Sequence, residues 1–361
     1  MQINAQQLTA LADTILRHAG GHPDAAQKVA ARLVSANLAG HDSHGVGMIP
    51  AYVAGIKAGH LIPDAAARLV HENGPFLLVD GQQGFGHVIA EQAMTMAIAR
   101  AGTSQFAVLS LRNSFHLGRL GDWGAMAAEA GFICIIYANV QSPRPLVAPF
   151  GGSDARFVTN PYCTAIPATD KTPMFLLDMA TSTIAMGKVR VAHLSGKAVP
   201  QGALVDSLGH PTTNPSVMFD DPTGALTTFG MHKGFGLALL GDLLGGALSG
   251  GGAYAPEREV PSRILNNMLA ILIDPSAFGS VQDFENEVDR YTDWVKASPP
   301  APGVDAVQFP GDPERRSTQE RLTHGIPMDD GTFGQLIETA SSVGVPQDMI
   351  DAFVLGRSDA P

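Results

Sequence analysis

Helix-like and strand-like hydrophobic patterns alternate in the middle of the chain, and this alternation restricts the fold more than any other feature of the sequence. EQAMTMAIARAG (91–102) and GDWGAMAAEAG (121–131) have the apolar spacing of helices. FAVLSLRN (106–113) and FICIIYANV (132–140) are short apolar runs typical of buried strands. Further strands are predicted at 174–180 and 267–275, and a further helix at 233–248. Strands that alternate with helices predict an α/β core.

The two ends of the chain have helical patterns instead. The first twenty residues predict one helix, and PDAAQKVAARLVSANLAG (23–40) predicts a second, with proline at its start and glycine at its end. The helical pattern returns near the C-terminus and is interrupted by a proline-rich, irregular linker at 297–313. The sequence therefore predicts a mainly helical domain made from residues 1–75 and 281–361, with an α/β domain of residues 76–280 inserted between them.

Charge and composition restrict the partners. The 361-residue chain has a formal net charge of −11, and no window carries the Lys/Arg stripe that phosphate backbones require. Nucleic acids and anionic membrane surfaces are therefore excluded as partners, and a small-molecule ligand is expected. Asp242 and several glycines interrupt the most apolar stretch (234–251), so no membrane span is predicted. Cys134 and Cys163 lie in apolar surroundings and the N-terminus lacks a targeting pattern, so a soluble cytoplasmic protein with two buried thiols is expected.

HDSHGVGM (41–48) places two histidines around an aspartate and a serine, directly after a predicted helix. His41, Asp42 and His44 are metal-ligand types, but metal histidines on a helix usually stand four apart and no further cluster completes a coordination shell, so no metal is predicted. Ser43 lacks the G-x-S-x-G context of a hydrolase nucleophile. Polar loop residues that cap the preceding helix remain an alternative interpretation of His41 and Asp42.

NSFHLGRLGDW (113–123) carries a second candidate histidine, His116, directly after a predicted buried strand. Loops at the ends of strands carry functional residues in α/β proteins. An imidazole, whose pKa lies near neutrality, is the usual acid/base for a proton that joins or leaves an oxygen. His116 is therefore a candidate general acid/base, with a purely structural histidine as the alternative.

The sequence motifs that could indicate dinucleotide binding are weaker than the two histidine motifs. GFGHVI (84–89) begins like the G-x-G-x-x-G fingerprint, but Ile89 replaces the third glycine and no clear strand-to-helix context is predicted around it, so a Rossmann site is not expected. Thr181 and Ser182 stand at a predicted helix start. Lys233 stands with glycines at another, where backbone N–H groups can approach an anion. Each of these segments alone is a weak indication of phosphate binding.

Several motifs together resemble those of the malate/L-lactate/ureidoglycolate dehydrogenase family. They run in the family's order over nearly the whole chain, and they are HDSHGVGM, NSFHLGRLGDW, VAPFGG followed by TNP, DMATSTIAMGKVRVA, PQGALVD, PTTNP, HKGFGLAL with LLGGALSGG, and NNMLAILIDPSAFG. GHDSHGVGMIPAYV and PGDPERRSTQERLTHGIPMD look most like the bacterial hydroxycarboxylate dehydrogenase B branch. The resemblance implies a non-Rossmann, nicotinamide-binding sheet domain inserted into a helical domain formed by both chain ends, with NAD or NADP as cofactor.

The resemblance also implies roles for individual residues. His116 would give and take the proton of the substrate oxygen, with His44 and Ser43 beside the substrate and the nicotinamide. The residues implied to contact the cofactor are Thr159, Asn160, Pro161, Thr181, Ser182, Lys188, Lys233 and Gly234. Where the wider family commonly carries an arginine for the substrate carboxylate, this chain has Met48, and the hypothesis is that this favours substrates with larger apolar or aromatic side chains. The alternative is that Met48 points into the core and leaves the pocket unchanged. Arg119 is a candidate substitute for the carboxylate contact.

The activity that the resemblance implies is hydride transfer between a nicotinamide cofactor and a 2-oxo acid/2-hydroxy acid pair. Two alternatives stay open, a reductase of cyclic 2-imino acids and a non-catalytic small-molecule-binding protein of the same fold. A homodimer is expected from the resemblance and from the apolar, glycine-rich LLGGALSGGGAY (243–254). The alternative is that this helix fills the core of its own subunit.

Overall fold

The computed structural model describes residues 1–255 and 263–355. Its α-helices are α1 (Ala5–His18), α2 (Pro23–Leu38), α3 (Ile49–Lys57), α4 (Gly86–Ser104), α5 (Gly121–Glu129), α6 (Met186–Leu194), α7 (His232–Leu240), α8 (Val281–Lys296), α9 (Asp312–His324), α10 (Asp330–Ser342) and α11 (Gln347–Leu355). Its strands are β1 (Gln2–Ile3), β2 (Arg68–Asn73), β3 (Phe76–Asp80), β4 (Phe106–Ser114), β5 (Ile133–Gln141), β6 (Tyr162–Ile166), β7 (Phe175–Met179), β8 (Leu204–Val205), β9 (Pro211–Thr212), β10 (Ala225–Leu226), β11 (Leu265–Ile273) and β12 (Ile326–Pro327). The predicted α/β class is confirmed.

A seven-stranded sheet forms the centre of the fold, in the order β2-β3-β4-β11-β5-β6-β7. Among the described strands of this sheet, β3 and β4 pair in parallel and the other neighbours pair antiparallel. A Rossmann fold requires a parallel sheet with helical crossovers. The expectation that the sheet is not a Rossmann sheet is therefore confirmed. β11, which comes late in the chain, lies between β4 and β5.

Two helices cover one face of this sheet. α4 presents Ala90, Ala93, Ala97 and Ala101 at helical spacing, and all four side chains are fully buried. Small side chains let the helix axis approach the strands closely, while Trp123 of α5 fills the space beside it. This packing explains why β4 and β5 read as apolar runs in the sequence.

Helices from both ends of the chain share a second core. α1, α2, α3 and α10 pack together through fully buried side chains that include Leu33, Tyr52 and Leu336. β1 pairs with β12, so that Ile3 lies opposite Ile326 and the two chain ends are joined by backbone hydrogen bonds. The helical domain formed by both chain ends is therefore confirmed, whereas the predicted domain boundaries stay a prediction.

A third, smaller core lies around α6 and α7. It contains the three-stranded sheet β10-β8-β9 and buried residues such as Val147, Leu204 and Leu226. The sequence patterns did not predict this unit, because its strands are two residues long. The helix predicted at 233–248 is α7, which continues as a π-helical turn over Gly241–Ala247. In the part of the chain that the structure describes, no helix combines the length and hydropathy of a membrane span.

Candidate active site

His116 lies in the loop between β4 and α5, and its ring contacts side chains from two other segments. The Tyr52 hydroxyl lies 2.7 Å from Nδ1 of His116. Nδ1 of His44 lies 3.1 Å from Nε2 of His116, and the two ring planes are within 5° of parallel. A neutral imidazole donates from one nitrogen and accepts at the other. The three side chains therefore form a line along which a proton can be passed.

Burial keeps these histidines neutral. Desolvation lowers the pKa of His116 well below 6.5, and the nearby imidazoles of His44 and His87 lower it further. Desolvation, followed by the charges of His41 and Arg119, lowers the pKa of His44 to about 4. A proton placed on His116 is therefore held weakly and is given up readily to a basic oxygen.

The HDSHGVGM loop is fixed to the helices on both sides of it. The Asp42 carboxylate accepts hydrogen bonds from Asn37 Nδ2 at 2.7 Å and from two nitrogens of Arg321 at 2.7 and 3.1 Å. Nε2 of His41 lies 3.2 Å from a carboxylate oxygen of Glu314. His41 and Asp42 therefore anchor the loop to α2 and α9. Within the described residues, no group of three or more histidine, cysteine or acidic side chains is arranged to hold a metal.

The expectation about the surroundings of GFGHVI (84–89) is wrong. This segment does lie between a strand and a helix, because β3 ends at Asp80 and α4 begins at Gly86. Its second glycine has a different use from a phosphate turn, since a Cβ at Gly86 would overlap the carbonyl oxygen of His116. Ile89, in place of the third glycine, is fully buried. The segment therefore holds the start of α4 against the loop of His116.

The TNP turn (159–161) is held rigidly next to the end of β5. Asn160 has a φ of 23° and is 1% exposed. Its side-chain oxygen accepts a hydrogen bond from the Val140 N–H at 3.1 Å, and its amide donates to the Ala238 carbonyl at 3.0 Å. The Thr181 hydroxyl donates to the threonine carbonyl of the turn at 2.8 Å. The structure thus brings three of the predicted cofactor segments together.

Thr181 and Ser182 do not begin a helix, so that expectation is wrong. α6 begins at Met186, and the Ser182 hydroxyl donates instead to the carbonyl of Ile184 at 3.0 Å. Both residues are buried, and an isolated β-bridge pairs Ser182 with Thr228. No helix starts here because hydrogen bonds with residues 227–229 satisfy backbone groups that a helix start would leave free.

Lys233 and Lys188 stand in the first turns of two helices with exposed side chains. Lys233 is the second residue of α7 and precedes the buried Gly234, where a Cβ would overlap a backbone carbonyl oxygen. Lys188 is the third residue of α6. A Cβ added to its neighbour Gly187 would lie 3.8 Å from Cβ of Ser43. The first turn of α6 therefore lies beside the HDSHGVGM loop.

The two candidate substrate residues lie in different settings. Arg119 is 9% exposed, and its Nε donates to a carboxylate oxygen of Asp122 at 2.8 Å. Its charge nevertheless reaches His44, whose pKa it helps to lower. Met48 precedes α3 and packs, partly buried, against the helical core. Arg119 is thus held beside the histidines, while part of the Met48 side chain contributes to packing.

Sequence reasoning missed two groups close to the histidines. Tyr52 stands four residues after Met48 on α3, so helical spacing from a recognised motif was the available signal. Asp178 opens the DMATS motif, and its carboxylate accepts the Gly121 N–H at 2.7 Å. Burial raises the pKa of Asp178 above its usual range. A buried carboxyl group with a shifted pKa is typical of a functional site.

Known proteins resemble this chain along nearly its whole length. The sequence model of the malate/L-lactate dehydrogenase family matches residues 3–337. Hydroxycarboxylate dehydrogenase B of Escherichia coli (strain K12) is 43% identical over 354 residues, which are 98% of this chain and 97% of that protein. The solved structure of a putative malate/lactate dehydrogenase from E. coli has a TM-score of 0.93 at 42% identity and covers 98% and 99% of the two chains. The solved structure of delta1-piperideine-2-carboxylate reductase from Pseudomonas syringae pvar. tomato has a TM-score of 0.79 at 27% identity. The match covers 94% of this chain and 100% of that chain. The chain therefore belongs to the malate/L-lactate dehydrogenase family.

Proposed function

We propose that the protein is an NAD(P)-dependent 2-hydroxycarboxylate dehydrogenase that interconverts a 2-oxo acid and a 2-hydroxy acid. The observation that carries this proposal is the contact of His116 with Tyr52 and His44, at 2.7 and 3.1 Å. Reduction of a carbonyl group requires one proton for the oxygen that becomes a hydroxyl. The imidazole of His116 can deliver that proton and take it back in the oxidative direction.

The residues around the TNP turn fit an extended, anionic cofactor. Lys233 and Lys188 are exposed cations in helix first turns, although the chain as a whole has a net charge of −11. Helix N-termini offer free N–H groups and a partial positive charge to phosphate oxygens. The absence of a side chain at Gly234 keeps the first turn of α7 close to Thr181. We assign the phosphates of NAD or NADP to this region, and the cofactor would supply the hydride.

The chain's own groups handle the proton. Tyr52 contacts Nδ1 of His116, so we assign Nε2, which His44 also contacts, as the atom that exchanges the proton with the substrate oxygen. In the reductive direction a protonated His116 stabilises the negative charge on that oxygen and then neutralises it. Ser43, exposed on the same turn as His44, would contact the substrate or the nicotinamide.

For the substrate, we propose a 2-oxo acid with a large apolar or aromatic side chain. Met48 is flexible and polarizable, and it offers an apolar contact that a guanidinium would make only with a desolvation cost. We propose Arg119 as the carboxylate contact. Its guanidinium is fixed by Asp122 and its charge already reaches His44.

A second candidate function is the reduction of a cyclic 2-imino acid. The observation that favours it is the full-length structural likeness to delta1-piperideine-2-carboxylate reductase, at a TM-score of 0.79. The hydride would go to an imine carbon, and the acid/base would serve a nitrogen in place of an oxygen. The substrate panel described below separates the two.

We also propose a homodimer. Gly241 and Gly245 face the sheet of their own subunit, where a Cβ would lie 2.7 Å from the Ala138 carbonyl oxygen and 3.0 Å from the Asn139 nitrogen, respectively. Two leucines of the same stretch point outward, since Leu243 is 57% exposed and Leu248 is 63% exposed. Glycines that pack within the subunit and leucines that remain exposed fit a second copy on the outer face. Sedimentation at micromolar concentration should give a dimer, and a stable monomer of 37.7 kDa would contradict it.

We propose that the protein is located in the cytoplasm, because its two cysteines are not joined in a disulfide. Cys134 and Cys163 are free and fully buried on neighbouring strands, and burial raises the pKa of the Cys134 thiol to about 12. Such thiols are unreactive, which fits a reducing environment.

The test is a titration with NADH and NADPH, followed by a substrate panel. Fluorescence quenching measures cofactor binding, and the panel contains pyruvate, oxaloacetate, phenylpyruvate and a cyclic 2-imino acid. The proposal predicts binding of at least one cofactor and fastest turnover of a 2-oxo acid. Faster turnover of the imino acid would establish the second candidate. Cofactor binding without any turnover would indicate a non-catalytic binding protein.

A further inference from the structure

A line of polar side chains, buried apart from one half-buried aspartate, runs from the TNP turn to the loop of His116, across the ends of β5 and β11. It consists of four amides and one carboxylate, and we refer to these residues as the amide chain: Asn160, Asp242, Asn139, Asn267 and Asn266. The four asparagines are between 0% and 4% exposed. Buried polar groups are costly unless each finds a partner, so the hydrogen bonds of this line determine its geometry.

At the cofactor end, one carboxylate joins two amides. The Asn160 amide donates to Oδ2 of Asp242 at 2.9 Å, and the Asn139 amide donates to Oδ1 at 3.2 Å. Asp242 belongs to the π-helical turn after α7, and π-helical turns occur frequently at functional sites. Its carboxylate therefore fixes the TNP turn to strand β5.

At the acid/base end, two consecutive asparagines hold the backbone on both sides of the histidine. The Asn267 amide donates to Oδ1 of Asn139 at 2.7 Å, and its own Oδ1 accepts the Asn113 N–H at 2.9 Å. Oδ1 of Asn266 accepts the Leu117 N–H at 2.9 Å. The pairing of β11 with β4 shifts register at this point, and a bulge re-aims side chains next to active sites.

From this continuous line we infer that Asp242, Asn139 and Asn267 are positioning residues, which set the cofactor turn and the His116 loop at a fixed distance from each other. The inference rests on the proposed function, because hydride and proton must reach neighbouring atoms of one substrate. A misplacement of about 1 Å between such groups costs roughly a hundredfold in rate. The two asparagines that open the NNMLAILIDPSAFG motif therefore help to position the His116 loop. The apolar pattern of the rest of the motif explains only the strand.

The first test requires no turnover. In Asp242→Asn one of the two acceptor oxygens becomes an NH2 group, which cannot accept a hydrogen bond, so the contact with either Asn139 or Asn160 is lost and the cofactor end of the line is broken. Hydrogen exchange of the Asn113 and Leu117 amides, at the opposite end, should become about three- to tenfold faster, as expected for coupled neighbours. Helix α1 serves as the reference segment. Unchanged exchange at 113–117, or an equal acceleration in α1, would overturn the inference.

The second test runs in the opposite direction. Asn267→Asp keeps the acceptor for Asn113 but loses the donor to Asn139. The dissociation constant of NADH or NADPH should rise about three- to tenfold above pH 7, and it should recover at a pH low enough to protonate the new carboxyl group, which then donates again. The matched control is Asn286→Asp, an exposed residue on α8. A dissociation constant equal to that of the control at every pH would overturn the inference.

The two proposals can fail separately. If the wild type binds a cofactor but turns over no 2-oxo acid, the proposed function fails, while exchange and binding still measure the coupling along the amide chain. If turnover is present and neither variant affects the far end, the amide chain is a local structural feature and only the positioning role is lost.

Discussion

The hydroxyl of Tyr52 lies 2.7 Å from Nδ1 of His116, and both side chains are buried. Tyr52 comes from α3 in the helical domain, whereas His116 follows β4 of the sheet. The contact therefore joins the helical part of the fold to the sheet at His116. Nδ1 of His116 is thus occupied by the Tyr52 hydroxyl, whereas Nε2 faces His44. In the proposed mechanism, Nε2 is the atom that meets the substrate.

Replacement of this tyrosine tests the arrangement. Tyr52→Phe keeps the packed ring but removes the hydroxyl that orients the imidazole. We expect kcat to fall by about ten- to a hundredfold, in line with the loss of one hydrogen bond to a catalytic group, while cofactor affinity stays within about twofold. Tyr291→Phe, at a residue 61% exposed on α8, is the matched control. A kcat like that of the control would show that the hydroxyl does not act on His116.

Stability should depend on pH because a buried histidine must stay neutral. Desolvation, followed by the charges of Arg32 and His44, lowers the pKa of His87 to about 3. In the unfolded chain a histidine titrates near 6.5, so below that pH the unfolded state binds a proton that the folded state does not. The free energy of unfolding should therefore fall as the pH drops from about 6.5 towards 3. Urea unfolding between pH 7.5 and 5 measures this slope. His87→Gln should flatten it, and an equally steep slope in the variant would contradict the assignment.

Lys233→Ala tests the phosphate assignment. Loss of one charge-assisted hydrogen bond should weaken NADH or NADPH binding by about 1 to 3 kcal/mol, with a smaller effect on kcat at saturating cofactor. Fluorescence titration gives the affinity. Lys171→Ala, at another exposed lysine, is the control. If both variants bind the cofactor equally well, the phosphates lie elsewhere.

Met48→Arg tests the substrate preference. The wild type should favour phenylpyruvate over oxaloacetate, because an apolar side chain at this position accepts an apolar group at little cost. The arginine variant should shift towards oxaloacetate, whose second carboxylate can pair with the guanidinium. The ratio of kcat/KM for the two substrates is the measurement. The same ratio in both proteins would mean that Met48 serves only the packing of the helical core.

Local patterns predicted the elements that are long and regular. β4 and β5 were placed within one or two residues, because buried strands of nine residues have a continuous apolar pattern. The two-residue strands of the small sheet around α6 and α7 have no pattern that a sequence could reveal. The position of β11 between β4 and β5 was equally inaccessible, since it depends on pairing with segments more than a hundred residues away.

The motifs supplied candidate site residues, but the distances between those residues come only from the structure. The motifs pointed to His116, while its contact with Tyr52 spans 64 positions and has no local signature. Thr181 was read as a helix start because Thr-Ser often caps helices, and the tertiary pairing of its segment overrode that preference. The Thr181 hydroxyl and the Asn160 amide donate hydrogen bonds to backbone carbonyls of the protein. The sequence has no signal for these contacts.

The NAD(P)H-dependent reduction of 2-oxo acids by His116→Ala, with cofactor affinity measured on the same protein, tests the role of His116 most directly. Removal of the acid/base should lower kcat by about two to four orders of magnitude and leave cofactor affinity nearly unchanged. His71→Ala, at an exposed residue of β2, should behave like the wild type. Turnover by His116→Ala at the wild-type rate would contradict the account.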